Sequence, residues 1–262
     1  MLRMSSIGSL GQGLILLAYL GSVPAANAQT VVESSIEARF QLDVQVPEAA
    51  LMAHVPPGFT VNVSARGPAT DANLRVVFID RTTINGPDGA PVGKGSNRLV
   101  YLIAPVTDPD GNRAQLVIGG LTEDPADAPG PFGVYLPATT QTRRQTASTG
   151  SGAIVEEQDW VFTAPTGEHI EMHIVFERGP RNRGSNPSET RFYSARDPGT
   201  YEISRQQQML DILRNVTTNP PDRVSEFSFR AGGGSYAALF GGAERVLSWD
   251  HIRWVDRTIL RP

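Results

Sequence analysis

Two histidines and a glutamate alternate in the run EHIEMHI near the middle of the chain. Successive side chains of a strand point to opposite faces, so His169, Glu171 and His173 would share one face. Neutral imidazole and carboxylate suit zinc or iron. Because same-face positions lie about 7 Å apart, coordination would also need strand twist and a ligand from elsewhere. An amphipathic strand with a polar outer face explains the same pattern, so no metal is assigned.

A second group of chemically capable residues lies near the C-terminus, where Ser248, Asp250 and His251 occur in one run. Adjacent strand residues face opposite sides, so Asp250 is badly placed to orient His251, and the chain has no G-x-S-x-G sequence. Asp250, Arg253 and Arg257 are instead expected in surface ion pairs, which contribute little stability. No catalytic residue is predicted here.

Lys94 is the only lysine of the chain, and it stands between Gly93 and Gly95. Such a loop predicts exposure, and a solvated lysine stays protonated because its pKa is about 10.4. The chain has no cysteine, which excludes a thiol nucleophile and a cysteine-ligated metal. No cofactor is predicted.

The first 28 residues have the pattern of an export signal. Arg3 is followed by the apolar run Leu10–Leu20, then by helix breakers and the small-residue site Ala26-Asn27-Ala28. The mature chain is expected to begin at Gln29. We therefore predict a bacterial periplasmic or secreted protein with one domain over residues 29–262.

Composition limits the partners. The full chain has a net charge of -4, and removal of Arg3 leaves 22 basic against 27 acidic residues, a net charge of -5. A mildly acidic chain does not favour binding to nucleic acid. No second apolar run is long enough for a membrane helix, so no membrane insertion is expected after signal cleavage. The oligomeric state stays open.

Apolar alternation and turn signals predict a mainly β (α+β) protein: a single closed or nearly closed antiparallel β-barrel with a few short helices. A short helical turn is predicted at Pro47–His54, and a longer helix at Ser204–Asn215. Two polar, Gly/Ser-rich stretches, Gln141–Gly152 and Gly179–Thr190, are predicted to be loops within one domain, with an interdomain linker as the alternative for the first. The strand predictions are Val31–Val46, Leu74–Ile84, Leu99–Val106, Ala114–Leu121, Ile154–Thr163, His169–Phe176, Val224–Phe229 and His251–Ile259.

Several of these segments together resemble the acetoacetate decarboxylase-like superfamily. They are Val46–Leu51, the turn Val55–Phe59, the strand around Val76–Asp80, the hairpin strand Leu99–Val106 and the segment Gly133–Pro137. The resemblance implies the barrel fold. It also implies a lysine nucleophile directly after the last segment. In the decarboxylases the pKa of that lysine is lowered, so that the amine is free to attack a keto acid.

This chain departs from that pattern at the reactive position. Pro137 is followed by Ala138, Thr139 and Thr140, and the strand start Ser96–Leu99 has no carboxylate. Schiff-base decarboxylation is therefore not expected.

The function predicted from the sequence is that of an exported barrel that binds a small, mainly apolar ligand without Schiff-base activity. Arg98, which could meet an anion by a bidentate contact, is a candidate ligand-binding residue together with Tyr101, Tyr135, Glu171 and His173. Two alternatives stay open: a lysine-independent lyase or hydrolase acting on a small carbonyl or carboxylate compound in the same cavity, and a structural protein whose barrel is filled by side chains.

Overall fold

The computed structural model describes residues 29–128, 130, 133–150, 152–180, 182–184, 187–213 and 223–262. The predicted export signal lies outside these residues. None of the helices within them combines the length and the apolar character that a bilayer crossing requires.

Strands make up most of the described chain. They are β1 Thr30–Gln45, β2 Thr60–Val61, β3 Leu74–Asn85, β4 Asn97–Thr107, β5 Arg113–Thr122, β6 Tyr135–Pro137, β7 Thr140–Gly150, β8 Ala153–Thr163, β9 His169–Glu177, β10 Asn182–Arg183, β11 Ser188–Ser194, β12 Tyr201–Ile212, β13 Val224–Gly232 and β14 Arg245–Arg261. The helix α1, Glu48–Met52, follows Pro47 at the predicted helical turn, and the short segments Pro125–Asp127 and Gly234–Tyr236 are 3-10 helices.

Seven strands close into a barrel in the order β4-β3-β1-β14-β12-β11-β5, and β5 pairs back with β4. The predicted mainly β barrel with few helices is thereby confirmed. Six of the seven pairings are antiparallel, whereas β11 runs parallel to β5. The parallel seam arises because the chain leaves the barrel after β5, builds other strands and returns through β11.

A second, four-stranded sheet has the order β13-β9-β8-β7 and covers one outer side of the barrel. Aromatic side chains meet between the two layers: the ring centroids of Phe78 and Trp160 are 5.6 Å apart, and those of Phe40 and Phe176 are 5.9 Å apart. All four rings are fully buried. The main apolar core thus lies between the barrel wall and this sheet, outside the barrel lumen.

The helix predicted at Ser204–Asn215 is wrong. Residues up to Ile212 form β12, which pairs with β11 on one side and β14 on the other. Both ladders satisfy its backbone groups, and this outweighs the helix propensity of the Arg205–Gln208 run. Asn215 lies outside the described residues.

The loop prediction at Gln141–Gly152 is also wrong for most of its length, because β7 covers Gln141–Gly150 in an unbroken register with β8. In Gly179–Thr190, the described residues contain β10 and the start of β11. β7 lies at the edge of its sheet and carries exposed polar side chains on both faces, so it shows none of the alternation that identifies a half-buried strand.

Candidate ligand site inside the barrel

Polar side chains line the lumen along β1. Ser35, Glu37 and Arg39 alternate and are all buried, whereas Phe40 and Leu42 belong to the core outside the barrel. Alternate residues of a barrel strand point inward, and here both faces of the strand are covered. The polar face of β1 is therefore an interior surface and not a solvated one.

Glu37 is the centre of an ionic cluster. Its carboxylate oxygens lie 2.6 Å from Arg39 Nη2, 2.6 Å from Arg257 Nη2 and 3.5 Å from Arg81 Nε. Ser35 Oγ donates a hydrogen bond of 2.7 Å to the same group. Burial disfavours the ionised carboxylate, but the charges of Arg257, Arg39 and Arg81 outweigh it and lower the pKa of Glu37 to about 2. Glu37 therefore stays charged and holds three guanidinium groups together.

The cluster carries excess positive charge. Arg39, Arg81 and Arg257 are all buried, and besides Glu37 the carboxylate that pairs with them in the described residues is Glu33, which contacts Arg81. Burial raises the pKa of Glu33 in spite of the neighbouring Arg81. A third buried carboxylate, Glu202, lies near Arg257 and pairs with Arg261. Four guanidinium groups thus face three carboxylates, and the excess of one positive charge favours an anion as an additional partner.

Three polar atoms in the middle of the lumen have no hydrogen-bond partner among the described residues: Arg257 Nε, Ser204 Oγ and Glu202 Oε2. Their residues line a void of about 10 Å³ together with Tyr101 and Phe192. A void of this size holds about one water molecule. The middle of the barrel is therefore narrow, and these polar atoms lie there among the apolar surfaces of Tyr101, Phe192 and Ile259.

A larger cavity of about 70 Å³ adjoins this void, because Tyr101 and Phe192 line both. By the same measure it has room for about five waters, or for an organic molecule of a few heavy atoms. Its walls combine apolar and polar side chains, and Arg39 Nη1 donates a 3.1 Å hydrogen bond to Gln206 on one wall. The lining residues are Arg39, Gln41, Arg75, Val77, Tyr101, Ile103, Gln115, Thr190, Phe192 and Gln206.

Tyr135 reaches the lumen cluster from β6. It is buried beside Gly120, and a Cβ atom on that glycine would lie 2.7 Å from the Tyr135 ring and 2.5 Å from Val100 O. Glycine is thus required for the parallel pairing of β5 with β6. Burial, followed by the proximity of Tyr101, raises the pKa of Tyr135 well above its ordinary value, so the phenol stays protonated.

The structure separates the five residues predicted from sequence. Tyr101 and Tyr135 lie at the lumen. Arg98 points to the outer side of the barrel, where its Nε lies 3.5 Å from Asp80 Oδ1. Glu171 and His173 lie on the second sheet, on the face turned away from the buried Met172. The ligand-binding role of all five stays a prediction.

On that outer face, His173 meets a carboxylate of the neighbouring strand and not Glu171. His173 Nδ1 is 2.7 Å from Asp159 Oδ1, and with Glu157 they form a group whose ligand atoms lie within 4.8 Å of one another. The hydrogen bond to Asp159 raises the pKa of His173, and Arg144 already pairs with Glu157 at 2.6 Å and with Asp159 at 2.7 Å. The carboxylates of Glu157 and Asp159 are thus already paired with Arg144 and His173.

Sequence reasoning missed the centre of the site. Glu37, Arg39 and Arg81 are not among the residues predicted from the sequence, and Arg257 is predicted to form a surface ion pair. That expectation is wrong, because the Arg257 side chain is 4% exposed and binds Glu37. The available signal was the repetition of charged residues on inward positions of several strands that together form a barrel.

Lys94 lies in the exposed loop, as expected. Its side chain is 64% exposed, and Nζ is 2.9 Å from Glu123 Oε1. The hydrogen bond to Glu123 raises the pKa of Lys94, so the amine is protonated and far less nucleophilic than a free amine.

Among the solved structures similar to this chain is the enduracididine biosynthesis enzyme MppR complexed with pyruvate, with a TM-score of 0.50, 10% identity and coverage of 91% of each chain. Another is an acetoacetate decarboxylase-like enzyme from Sphingomonas wittichii RW1, with a TM-score of 0.51, 11% identity and coverage of 88% of this chain and 92% of that one. No protein-family model and no curated protein sequence matches the chain.

Fold and lumen together define a closed seven-stranded β-barrel with an interior cavity. More specifically, the chain has the acetoacetate decarboxylase-like fold, and the resemblance seen in the sequence is confirmed at the level of the fold.

Proposed function

We propose that the protein is exported and binds a small carboxylate with a short apolar body in the barrel lumen. The observation that carries this proposal is the excess of guanidinium groups over carboxylates in the ion pairs around Glu37, four against three. A buried, incompletely neutralised guanidinium gains most from a carboxylate, which matches its fork of donors.

The lumen cavity supports both parts of such a ligand. Arg39 stands on the cavity wall as the anchor for the carboxylate, while Tyr101, Phe192 and Ile103 offer an apolar surface for the body of the molecule. The sequence predicted a mainly apolar ligand. The proposal keeps this apolar body and adds one anionic end. Pyruvate, with which the similar enzyme MppR is complexed, has these features and the appropriate size.

Export is proposed from the order of charge, apolar run and small-residue site in residues 1–28. Schiff-base chemistry is not proposed, since the only lysine is exposed and ion-paired.

The test is a titration of the mature protein, recovered from the periplasmic fraction, with pyruvate in a calorimeter. Intact mass should correspond to a chain that starts at Gln29. Arg39→Lys keeps the positive charge that faces Glu37 but removes the paired N–H donors of the guanidinium group. Pyruvate binding should therefore weaken by at least about 10-fold. Arg205→Lys, the same change at an exposed position of β12, should leave affinity unchanged. Absence of binding, or equal loss in both variants, would contradict the proposal.

One observation favours the alternative of a lysine-independent enzyme. Gln41, on the cavity wall, donates a 3.3 Å hydrogen bond to Asp250 Oδ2, and burial together with the nearby Asp43 raises the pKa of Asp250 to about 7. A carboxyl group with this pKa is suited to general acid–base work at neutral pH.

A base of this kind should exchange the methyl protons of bound pyruvate with D2O, and NMR would follow the exchange. The rate should rise through pH 7, as Asp250 loses its proton, and Asp250→Asn should lower it by about 100-fold or more. If pyruvate binds without exchange above the buffer rate, the binding function stands alone.

A further inference from the structure

One end of the barrel opens into a separate pocket of about 370 Å³, which we call the vestibule. The segment from Asn62 to Ala72 forms one wall, and the barrel rim with Arg75 and Gln115 forms the other. The same two residues line the 70 Å³ cavity. The vestibule and the lumen cavity therefore adjoin through shared walls.

The vestibule is positively charged. Arg66, Arg75 and Arg113 line it, opposed by Asp43. Arg75 Nε lies 3.2 Å from Asp43 Oδ1, while Arg66 and Arg113 are exposed and form no ion pair within the described part of the chain. Two positive charges are thus uncompensated in a protein whose net charge is -4.

The carboxylate of Asp43 is engaged by side chains of the barrel wall, so it does not compete with a ligand for Arg66 and Arg113. It accepts hydrogen bonds from Ser248 Oγ at 2.8 Å and from Gln41 Nε2 at 3.3 Å, besides that from Arg75. These bonds fix Arg75 at the boundary between the two cavities. Gln115 Oε1, on the same boundary, is buried and has no hydrogen-bond partner among the described residues.

The opposite end of the barrel has the reverse polarity. A pocket of about 180 Å³ there is lined by Glu33, Asp127 and Glu202, with Arg261 as its cation. An anion in the barrel is therefore attracted towards the vestibule and repelled from the other end.

We propose that the vestibule is a second anion subsite, so that the ligand is a short dicarboxylate with one carboxylate at Arg39 in the lumen and the other among Arg66, Arg75 and Arg113. This inference rests on the proposed binding of a carboxylate in the lumen and adds the second acidic group to it. A monocarboxylate would fill the inner position alone.

The test compares the affinities for pyruvate and 2-oxoglutarate by calorimetry. Wild-type protein should bind 2-oxoglutarate about 10-fold or more tightly than pyruvate, since the second carboxylate gains charge-assisted contacts. In Arg66→Ala/Arg113→Ala the preference should fall to within about twofold, while pyruvate affinity stays within about twofold of wild type. Arg205→Ala/Arg230→Ala removes the same charge from exposed positions elsewhere and should keep the preference.

Equal affinity for the two acids in wild-type protein, or a preference that survives in Arg66→Ala/Arg113→Ala, would overturn the dicarboxylate subsite while pyruvate binding upholds the lumen proposal. If neither acid binds, the lumen proposal fails. The vestibule is then tested separately by the effect of inorganic phosphate on the melting temperature. A rise in melting temperature with phosphate that is lost in the double variant supports an anion site there. No rise in wild-type protein overturns it.

Discussion

Glu37→Gln is expected to lower the free energy of unfolding by about 3–5 kcal/mol, the cost of breaking a buried ion pair by removal of one partner. Glutamine keeps the shape of the side chain but leaves Arg39, Arg81 and Arg257 buried with Glu33 as their remaining carboxylate partner. Urea unfolding of both proteins at pH 7 measures the difference. The control is Glu171→Gln, because Glu171 lies 3.9 Å from the largely exposed Arg230, and its loss should cost less than about 0.5 kcal/mol.

The effect of Glu37 also has a defined pH dependence. Its pKa is lowered from 4.5 to about 2 in the folded protein, so its contribution is fully present above pH 4.5 and is lost as the pH falls towards 2. The difference between wild type and Glu37→Gln should shrink across that range. A loss of stability below about 1 kcal/mol at pH 7 would show that the arginines do not depend on Glu37.

Acidification should destabilise the protein through His251. This side chain is buried between Phe40 and Phe176, with ring-centroid distances of 5.8 Å and 4.8 Å, and burial lowers its pKa from 6.5 to about 4. The folded state therefore binds this proton less readily than the unfolded state. Stability is unaffected by His251 above pH 6.5 and falls as the pH decreases from 6.5 to 4, by about 3 kcal/mol in total.

His251→Phe keeps the ring contacts and removes the titrating group, so most of this acid-dependent loss should disappear. Thermal or urea unfolding of both proteins at pH 7.5, 6, 5 and 4 checks the result. His173→Phe is the matched control with the opposite sign: Asp159 raises the pKa of His173, so its contribution is fully present below pH 6.5 and is lost at higher pH. An unchanged acid slope in His251→Phe would place the cause in other groups.

Local patterns predicted most of the elements. The turn around Pro56, the short helix after Pro47 and the strands that became β3, β4, β5, β8 and β9 follow from Pro/Gly placement and from alternation of apolar residues. The two failures have a common cause. β7 and β12 contain polar runs, Gln141–Gln145 and Arg205–Gln208, whose conformation is decided by the neighbouring strand and not by their own periodicity.

The candidate site was predicted only in part. Tyr101 and Tyr135 were predicted as ligand-binding candidates, and both lie at the lumen. Arg39 and Arg257 were not predicted as site residues, because charged residues on an amphipathic strand are assigned to the solvent-facing side by default.

The sequence by itself determined most of the strands and turns, the acetoacetate decarboxylase-like fold, and the fact that Lys94 is the only lysine. Only the tertiary structure decided that the polar face of β1 is an interior surface, that Arg257 meets Glu37, and that an arginine-lined vestibule adjoins the lumen. A period of two distinguishes the faces of a strand but does not say what covers each face. That depends on pairings such as β1 with β14, which join residues about two hundred positions apart.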